Sequence, residues 1–164
     1  MISNELTNLL DADYAGSPAT LQVDVIADLI CPWCYLGKRR LDEALEAVRG
    51  PTKVNWYPFQ INPAMPVSGM ALDEYLEKKF GDVESLQPAM DELKQLGKIE
   101  GINFNFDKVA RVPNTLDAHR LMKLGETADV STSNLAESIL RGFFENGLDI
   151  ADRDVLVDIG GDSG

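Results

Sequence analysis

The fold is decided by residues 21–34, which read LQVDVIADLICPWC. Apolar and polar residues alternate at the start of this stretch and then give way to a continuous apolar run, as in a strand buried on at least one face. Pro32 follows Cys31 directly, and a proline favours the first turn of a helix because its φ is fixed and its N–H is not needed there. Helical spacing then continues to a stop at Gly50-Pro51. The sequence therefore predicts a strand over residues 21–30 that leads directly into a helix.

A second strand is predicted over Lys53–Phe59, which is rich in aromatic and β-branched residues. A strand, a helix and a strand joined by short links form a βαβ unit, whose two strands are parallel. The carboxyl ends of parallel strands lie at one edge of a sheet, where ligands bind in such folds. We therefore expect the loop at residues 58–63 to lie beside Cys31, where Gln60 and Asn62 are candidates for binding a substrate. The alternative is that Asn62-Pro63 forms only a turn.

The remainder of the chain is mainly helical in pattern. Helices are predicted at Leu72–Phe80, Ser85–Glu100, Thr115–Ala128 and Ser133–Asn146, with the start of another at Asp152–Ile159. Inward positions on the fourth are Leu135, Ile139, Leu140 and Phe143. Residues 102–106 fit either a short strand or an extended loop that docks its aromatic side chains, and Gly160–Gly164 is interpreted as a chain end.

Composition restricts the classes of partner. The chain has 164 residues, 45% of them hydrophobic, which suits one domain with a core. Its net charge of −12 argues against nucleic acids and anionic membranes as partners. The sequence has no apolar run long enough to span a membrane. The first twenty residues contain no Lys or Arg and no long apolar stretch, so a cytoplasmic location is predicted rather than secretion.

Cys31 and Cys34 are the only cysteines, and they are too close in sequence to stabilise a fold by closing a loop. A thiolate at a helix N-terminus is stabilised by the helix dipole and by free N–H groups, which lowers the pKa of Cys31. Helical spacing puts Cys34 on the apolar face, so we expect Cys34 to be buried and Cys31 to be exposed. This pattern indicates thiol–disulfide exchange, in which Cys31 attacks and Cys34 resolves the mixed disulfide. Pro32 and Trp33 tune the redox poise, and Trp33 adds bulk without charge.

Two other interpretations of the cysteine pair remain open. The pair can be half of a zinc site, but His119 is the only histidine, so such a site needs carboxylates or a second chain. The pair can also be inert and buried. Among nearby polar residues, Asp28 is interpreted as a proton relay or as a turn stabiliser, and residues 38–40 as a solvated helix face.

Three ordered blocks resemble the DsbA-like thioredoxin-fold family, and within it the cytoplasmic FrnE-type branch. The blocks are DLICPWCYLGKRRL at residues 28–41, PFQINP at 58–63 and PNTLDAHR at 113–120. The resemblance implies an α/β fold: a thioredoxin-like βαβ unit with a large helical insertion. It divides the chain into a disordered lead at 1–20, the βαβ unit at 21–66, the insertion at 67–150 and a truncated start of the returning helix at 151–164.

The resemblance also implies a function. It implies disulfide oxidoreductase activity at Cys31 and Cys34, with Asn114 and His119 as further candidates for substrate binding. No metal or organic cofactor is required, and glutathione is a candidate thiol co-substrate. The expected partners are proteins or small molecules that carry a thiol or a disulfide. Related isomerases and transferases that use glutathione have serine in place of Cys31, so the two cysteines favour redox chemistry over this alternative.

One part of the family pattern is not found in this sequence. The family continues into a strand hairpin with a cis-proline and a last helix, whereas no proline follows Pro113 and no strong strand pattern follows Phe106. The C-terminal half of the sheet is therefore expected to be missing. A two-strand sheet exposes an unpaired edge, so a homodimer that completes the sheet is a further expectation. A truncated interaction module with impaired catalysis is the third functional hypothesis.

Overall fold

The computed structural model describes residues 19–163, so nearly all of the lead predicted at 1–20 lies outside the described residues. Strand β1 (Leu21–Ala27), helix α1 (Pro32–Glu46) and strand β2 (Thr52–Pro58) follow in order. The two strands are parallel and pair along their whole length, from Leu21 opposite Thr52 to Ala27 opposite Pro58. The predicted βαβ unit is thus confirmed, although β1 ends before residue 30 because residues 28–30 turn into the helix.

Five further helices follow in the order predicted from the sequence. They are α2 (Leu72–Phe80), α3 (Gln87–Ile99), α4 (Leu116–Thr127), α5 (Thr132–Phe144) and α6 (Arg153–Ser163). Helix α6 continues through Gly160 and Gly161, so the prediction that these glycines are not part of a folded element is wrong. A Cβ at Gly160 would lie 3.2 Å from Leu121, so the glycine allows α6 to pack closely on α4.

Residues 102–106 form no strand, so the extended loop is the correct alternative. The rings of Phe104 and Phe106 stack at 5.3 Å, and Phe104 meets Tyr35 edge to face at 5.9 Å. The same loop then supplies a short strand that the sequence did not predict. This strand, β4 (Arg111–Val112), pairs antiparallel with β3 (Met70–Ala71).

The core lies between the cysteine-bearing helix α1 and helix α5. Tyr35 and Leu36 of α1 are buried, and the four residues of α5 predicted to face inward are all buried. Phe143 and Phe144 extend this core with an edge-to-face contact at 4.8 Å. Buried aromatic pairs of this kind contribute beyond their area alone. The packed side chains of this core therefore hold the start of α1 in place.

None of the helices described here is long and apolar enough to cross a membrane.

Candidate functional site

The cysteine pair lies at the point where the chain enters α1. Cys31 is the N-cap residue with extended backbone, and Pro32 occupies the first helical position. The carbonyl of Cys31 accepts the N–H of Cys34 at 3.0 Å and the N–H of Tyr35 at 3.2 Å. Cys31 has no side-chain capping bond, which leaves its sulfur beside the positive end of the helix.

Both cysteines are free thiols, and their local interactions shift their pKa values in opposite directions. The pKa of Cys31 is lowered from 9.0 to about 6, mainly because the Cys34 thiol donates a hydrogen bond to the Cys31 sulfur. The backbone N–H groups of Cys34 and Trp33 add to this effect, while burial and Asp28 oppose it. The pKa of Cys34 is raised, first by that same hydrogen bond and then by burial and the Cys31 charge. At neutral pH the pair therefore carries one thiolate, on Cys31.

The prediction that Cys34 is buried and Cys31 is exposed is wrong. Both are half-buried. Trp33 between them is 51% exposed and forms part of the surface at the helix start. The distinction between the two sulfurs is thus electrostatic: Cys34 donates its proton toward Cys31, which holds the charge.

Asp28 and His119 form a buried pair near the cysteines. Asp28 accepts the N–H of Leu29 at 2.8 Å through Oδ1 and the N–H of Ile61 at 2.8 Å through Oδ2. His119 Nε2 lies 3.2 Å from Asp28 Oδ1. Asp28 therefore stabilises the turn before Cys31, which is one of the two roles predicted for it from the sequence. It also holds the loop after β2 in place. Its role as a proton relay stays a prediction.

Gln60 and Asn114 lie together but do not line the cavity that Cys31 lines. Gln60 Nε2 donates to Asn114 Oδ1 at 3.2 Å and to Thr115 Oγ1 at 3.3 Å. Asn114 Nδ2 donates to the carbonyl of Met65 at 2.6 Å, and its Oδ1 accepts the N–H of Leu116 at the start of α4. These two amides therefore join the loop after β2 to helix α4.

A cavity of about 380 Å³ opens beside Cys31, and Pro32, Trp33 and Ile61 also line it. Asn62 does not line this cavity, but it hydrogen-bonds to two residues of α2 that do, Tyr75 and Lys79. Asn62 Nδ2 donates to the Tyr75 hydroxyl at 3.0 Å, and Lys79 Nζ donates to the same hydroxyl at 2.8 Å. Asn62 therefore joins the loop after β2 to helix α2, and its role in substrate binding stays a prediction. Sequence reasoning missed Tyr75 and Lys79, because their spacing places them on one helix face but does not indicate that this face meets the loop after β2.

The interpretation of residues 38–40 as a solvated face is wrong for Lys38, which is 4% exposed. Lys38 Nζ lies 2.6 Å from Asp42 and 3.1 Å from Glu137 of α5, and Arg39 lies 2.6 Å from Glu137. Tyr35 also donates to Glu137, at 2.9 Å. Helix packing explains the difference: α5 covers this side of α1 and supplies the carboxylate that the cations need when buried.

Within residues 19–163, no three His, Cys, Asp or Glu side chains cluster in a way that could hold a metal ion.

Comparison with known proteins gives consistent matches. The profile of the DsbA-like thioredoxin domain matches residues 22–164. The protein YwbO of Bacillus subtilis strain 168 is 26% identical over 141 residues, which cover 84% of this chain and 63% of YwbO. A probable DsbA oxidoreductase of Streptomyces coelicolor has 27% identity and a TM-score of 0.77, over 88% of this chain and 63% of that one.

A second solved structure shares the fold at lower identity. The cytosolic disulfide reductase DsbM of Pseudomonas aeruginosa is 21% identical with a TM-score of 0.62, over 87% of this chain and 63% of DsbM. DsbM has also been solved with glutathione. This chain spans 63% of the length of each of these three relatives.

Proposed function

Because this chain belongs to the family of DsbA-like thioredoxin domains, we propose that it is a thiol–disulfide oxidoreductase in which Cys31 is the nucleophile and Cys34 the resolving thiol. The observation that carries the proposal is the opposite shift of the two pKa values at the start of α1. A thiolate attacks a disulfide, whereas a thiol does not. Cys31 is the sulfur that is ionised at neutral pH.

The reaction follows from this asymmetry. The Cys31 thiolate attacks one sulfur of a substrate disulfide, forms a mixed disulfide and releases the other sulfur as a thiolate. The charge of Cys31 is then gone, and with it one of the effects that raise the pKa of Cys34. Cys34 loses its proton to solvent and attacks Cys31, which releases the second substrate thiolate. The substrate gains two electrons, and the cysteine pair becomes a disulfide.

Family members of this type need no bound cofactor, since the cysteine pair itself carries the electrons. A thiol such as glutathione is the proposed source of electrons for the oxidised pair, in keeping with the glutathione complex of DsbM. A reducing compartment, like the cytosol in which DsbM acts, is the proposed location. Assignment to the FrnE-type branch stays a prediction.

The other candidate site residues are proposed to have positioning roles. Gln60 and Asn114 hold the loop after β2 against α4, and His119 holds Asp28. Of the four residues predicted to bind substrate, Asn62 is the one that hydrogen-bonds to side chains lining the same cavity as Cys31. Pro32 and Trp33 line that cavity and shape the approach to Cys31.

Trapping the mixed disulfide tests the proposal. The Cys34→Ser variant cannot resolve, so incubation with a disulfide-containing peptide should leave a peptide adduct that mass spectrometry maps to Cys31. The Cys31→Ser variant should form an adduct far more slowly at neutral pH, because the pKa of the remaining thiol is not lowered. Adducts on Cys34 in place of Cys31, or no adduct in either variant, would show that the assignment of roles is wrong.

A further inference from the structure

The cavity beside Cys31 is lined by several segments of the chain. Cys31, Pro32 and Trp33 come from the start of α1, and Ile61 comes from the loop after β2. Helices α2 and α3 contribute further lining residues. The volume of about 380 Å³ lies in the range of small-molecule pockets, about 300–1,000 Å³. A small ligand placed there would be next to the nucleophilic sulfur.

The walls of this cavity are almost entirely apolar. The lining side chains from the helices and the long loop include Leu76, Phe80, Met90, Leu93, Phe106 and Phe144. Walls of this kind favour an aromatic or aliphatic group, since burial of apolar surface supplies most of the binding free energy. A strongly polar molecule would lose its hydration without gaining partners.

One cation interrupts the apolar lining. Among the described residues that line the cavity, Lys79 is the only one with a cationic side chain. Its Nζ donates to the Tyr75 hydroxyl at 2.8 Å and to Asn62 Oδ1 at 3.2 Å. Both partners are neutral, and within the described part of the chain no carboxylate pairs with Lys79. The neighbouring Lys78 differs, because it pairs with Glu74 at 2.6 Å.

We propose that the substrate of this site is a small disulfide that carries a carboxylate on an apolar body. This inference rests on the proposed function and specifies its substrate class. The apolar body occupies the cavity, the carboxylate binds Lys79, and the S–S bond meets Cys31. Tyr75 and Asn62 accept hydrogen bonds from the ammonium of Lys79 and so hold it in place without neutralising its charge.

The chemical step is the exchange already described. Cys31 attacks the sulfur attached to the bound group, which forms a Cys31–substrate disulfide and releases the other half as a thiolate. Attack by Cys34 on Cys31 then releases the bound half, also as a thiolate. Two electrons pass from the cysteine pair to the substrate, so one reduced protein molecule reduces one disulfide.

Two aromatic disulfides serve as probes of this site. The first, 5,5′-dithiobis(2-nitrobenzoate), has a carboxylate on each ring, and the second, 4,4′-dithiodipyridine, is neutral at pH 7. The rate at which reduced protein releases the coloured thiol is measured by stopped flow. Each variant is compared with the wild type for each probe, which removes the intrinsic difference in probe reactivity.

Lys79→Met should slow the reaction with the carboxylate probe by about three- to tenfold, the effect of one partly screened charge at contact distance. The neutral probe should react at an unchanged rate. Lys79→Arg keeps the charge and should restore the rate with the carboxylate probe. Lys78→Met is the matched control: it removes the same charge one residue away, outside the cavity, and should leave both rates unchanged.

Equal slowing of both probes in Lys79→Met, or equal slowing of the carboxylate probe in Lys78→Met, would overturn the carboxylate site. The carboxylate site would also be overturned if both probes react fast at Cys31 in the wild type and equally fast in Lys79→Met. That result would leave the proposed function intact. Slow and non-selective reaction of both probes at either cysteine would instead overturn the proposed function and this inference with it.

Discussion

His119 Nε2 lies 3.2 Å from Asp28 Oδ1, and both side chains are buried. Through this contact helix α4 is connected to the turn that precedes Cys31. Asp28 also accepts the N–H of Ile61, so a single carboxylate fixes the turn, the loop after β2 and the helix. The geometry around the cysteine pair thus depends on one acceptor that is only 1% exposed.

Asp28→Asn should destabilise the fold. An amide retains one acceptor oxygen, so it cannot accept from both Leu29 and Ile61 as the carboxylate does. A buried N–H left without its acceptor costs about 1–3 kcal/mol, so we expect the free energy of unfolding to fall by about that amount. Urea unfolding monitored by circular dichroism measures it.

The same variant should also lower the pKa of Cys31, because the charge of Asp28 raises it. Asp24→Asn is the control, because Asp24 is exposed and its carboxylate accepts from the half-buried side chain of Asn55. An Asp28→Asn protein with unchanged stability would show that the network around Asp28 contributes nothing to the fold.

Glu137→Gln should remove the central anion between α1 and α5. The buried ammonium of Lys38 would keep only Asp42, and breaking a buried ion pair is costly. We expect a loss of about 2 kcal/mol in the free energy of unfolding at pH 7, smaller than for a cation left with no partner at all. The exposed pair Glu74–Lys78 offers a control, since Glu74→Gln should change stability by less than about 1 kcal/mol.

The stability loss in Glu137→Gln should depend on pH in a defined direction. Burial tends to raise the pKa of Glu137, but Lys38, Tyr35 and Arg39 outweigh it and hold the pKa below 4.5. A lowered pKa in the folded state means that ionised Glu137 stabilises the fold above pH 4.5 and that this contribution is lost as the pH falls through the lowered value. The difference between wild type and variant should therefore shrink in acid. A difference that is constant from pH 7 to pH 3 would contradict the ion-pair explanation.

Two glycine substitutions should have opposite effects. In Gly97→Ala the new Cβ would lie 2.6 Å from the Phe104 ring, so the aromatic cluster must shift, at a cost of about 1–3 kcal/mol. Gly37 lies within α1, and a Cβ added there would meet nothing within 4 Å, so Gly37→Ala should stabilise the fold by about 0.5–1 kcal/mol. Thermal unfolding of both variants would show the contrast, and a stable Gly97→Ala protein would mean that Phe104 is not closely packed there.

The parts of the fold that follow local rules were predictable from the sequence. The strand at Leu21, the proline after Cys31 and the spacing along α5 each specify an element through nearby residues alone. The βαβ unit, the helices and the inward face of α5 are accordingly found where they were expected. A lowered pKa of Cys31 was also predicted, from the helix start alone, and the backbone N–H groups of Cys34 and Trp33 contribute to it as expected. The hydrogen bond from the Cys34 thiol, which is the largest cause, was not predicted.

Features that depend on contacts between distant segments were not predictable. The burial of Lys38 requires knowing that Glu137 approaches from α5, and local sequence shows only a run of basic residues. The pairing of Met70 with Val112 is two residues long and leaves no periodic pattern. The approach of Lys79 to Asn62 likewise joins a helix to a loop across a tertiary contact.

The ionisation of Cys31 at neutral pH is tested by the rate of its alkylation against pH, with mass spectrometry to identify the modified cysteine. Iodoacetamide reacts with the thiolate, so the rate follows its ionisation. The predicted result is a midpoint near pH 6 for Cys31, with Cys34 unmodified throughout the neutral range. A midpoint near 9.0 for Cys31, or modification of Cys34 at the same rate, would contradict the assignment of Cys31 as the nucleophile.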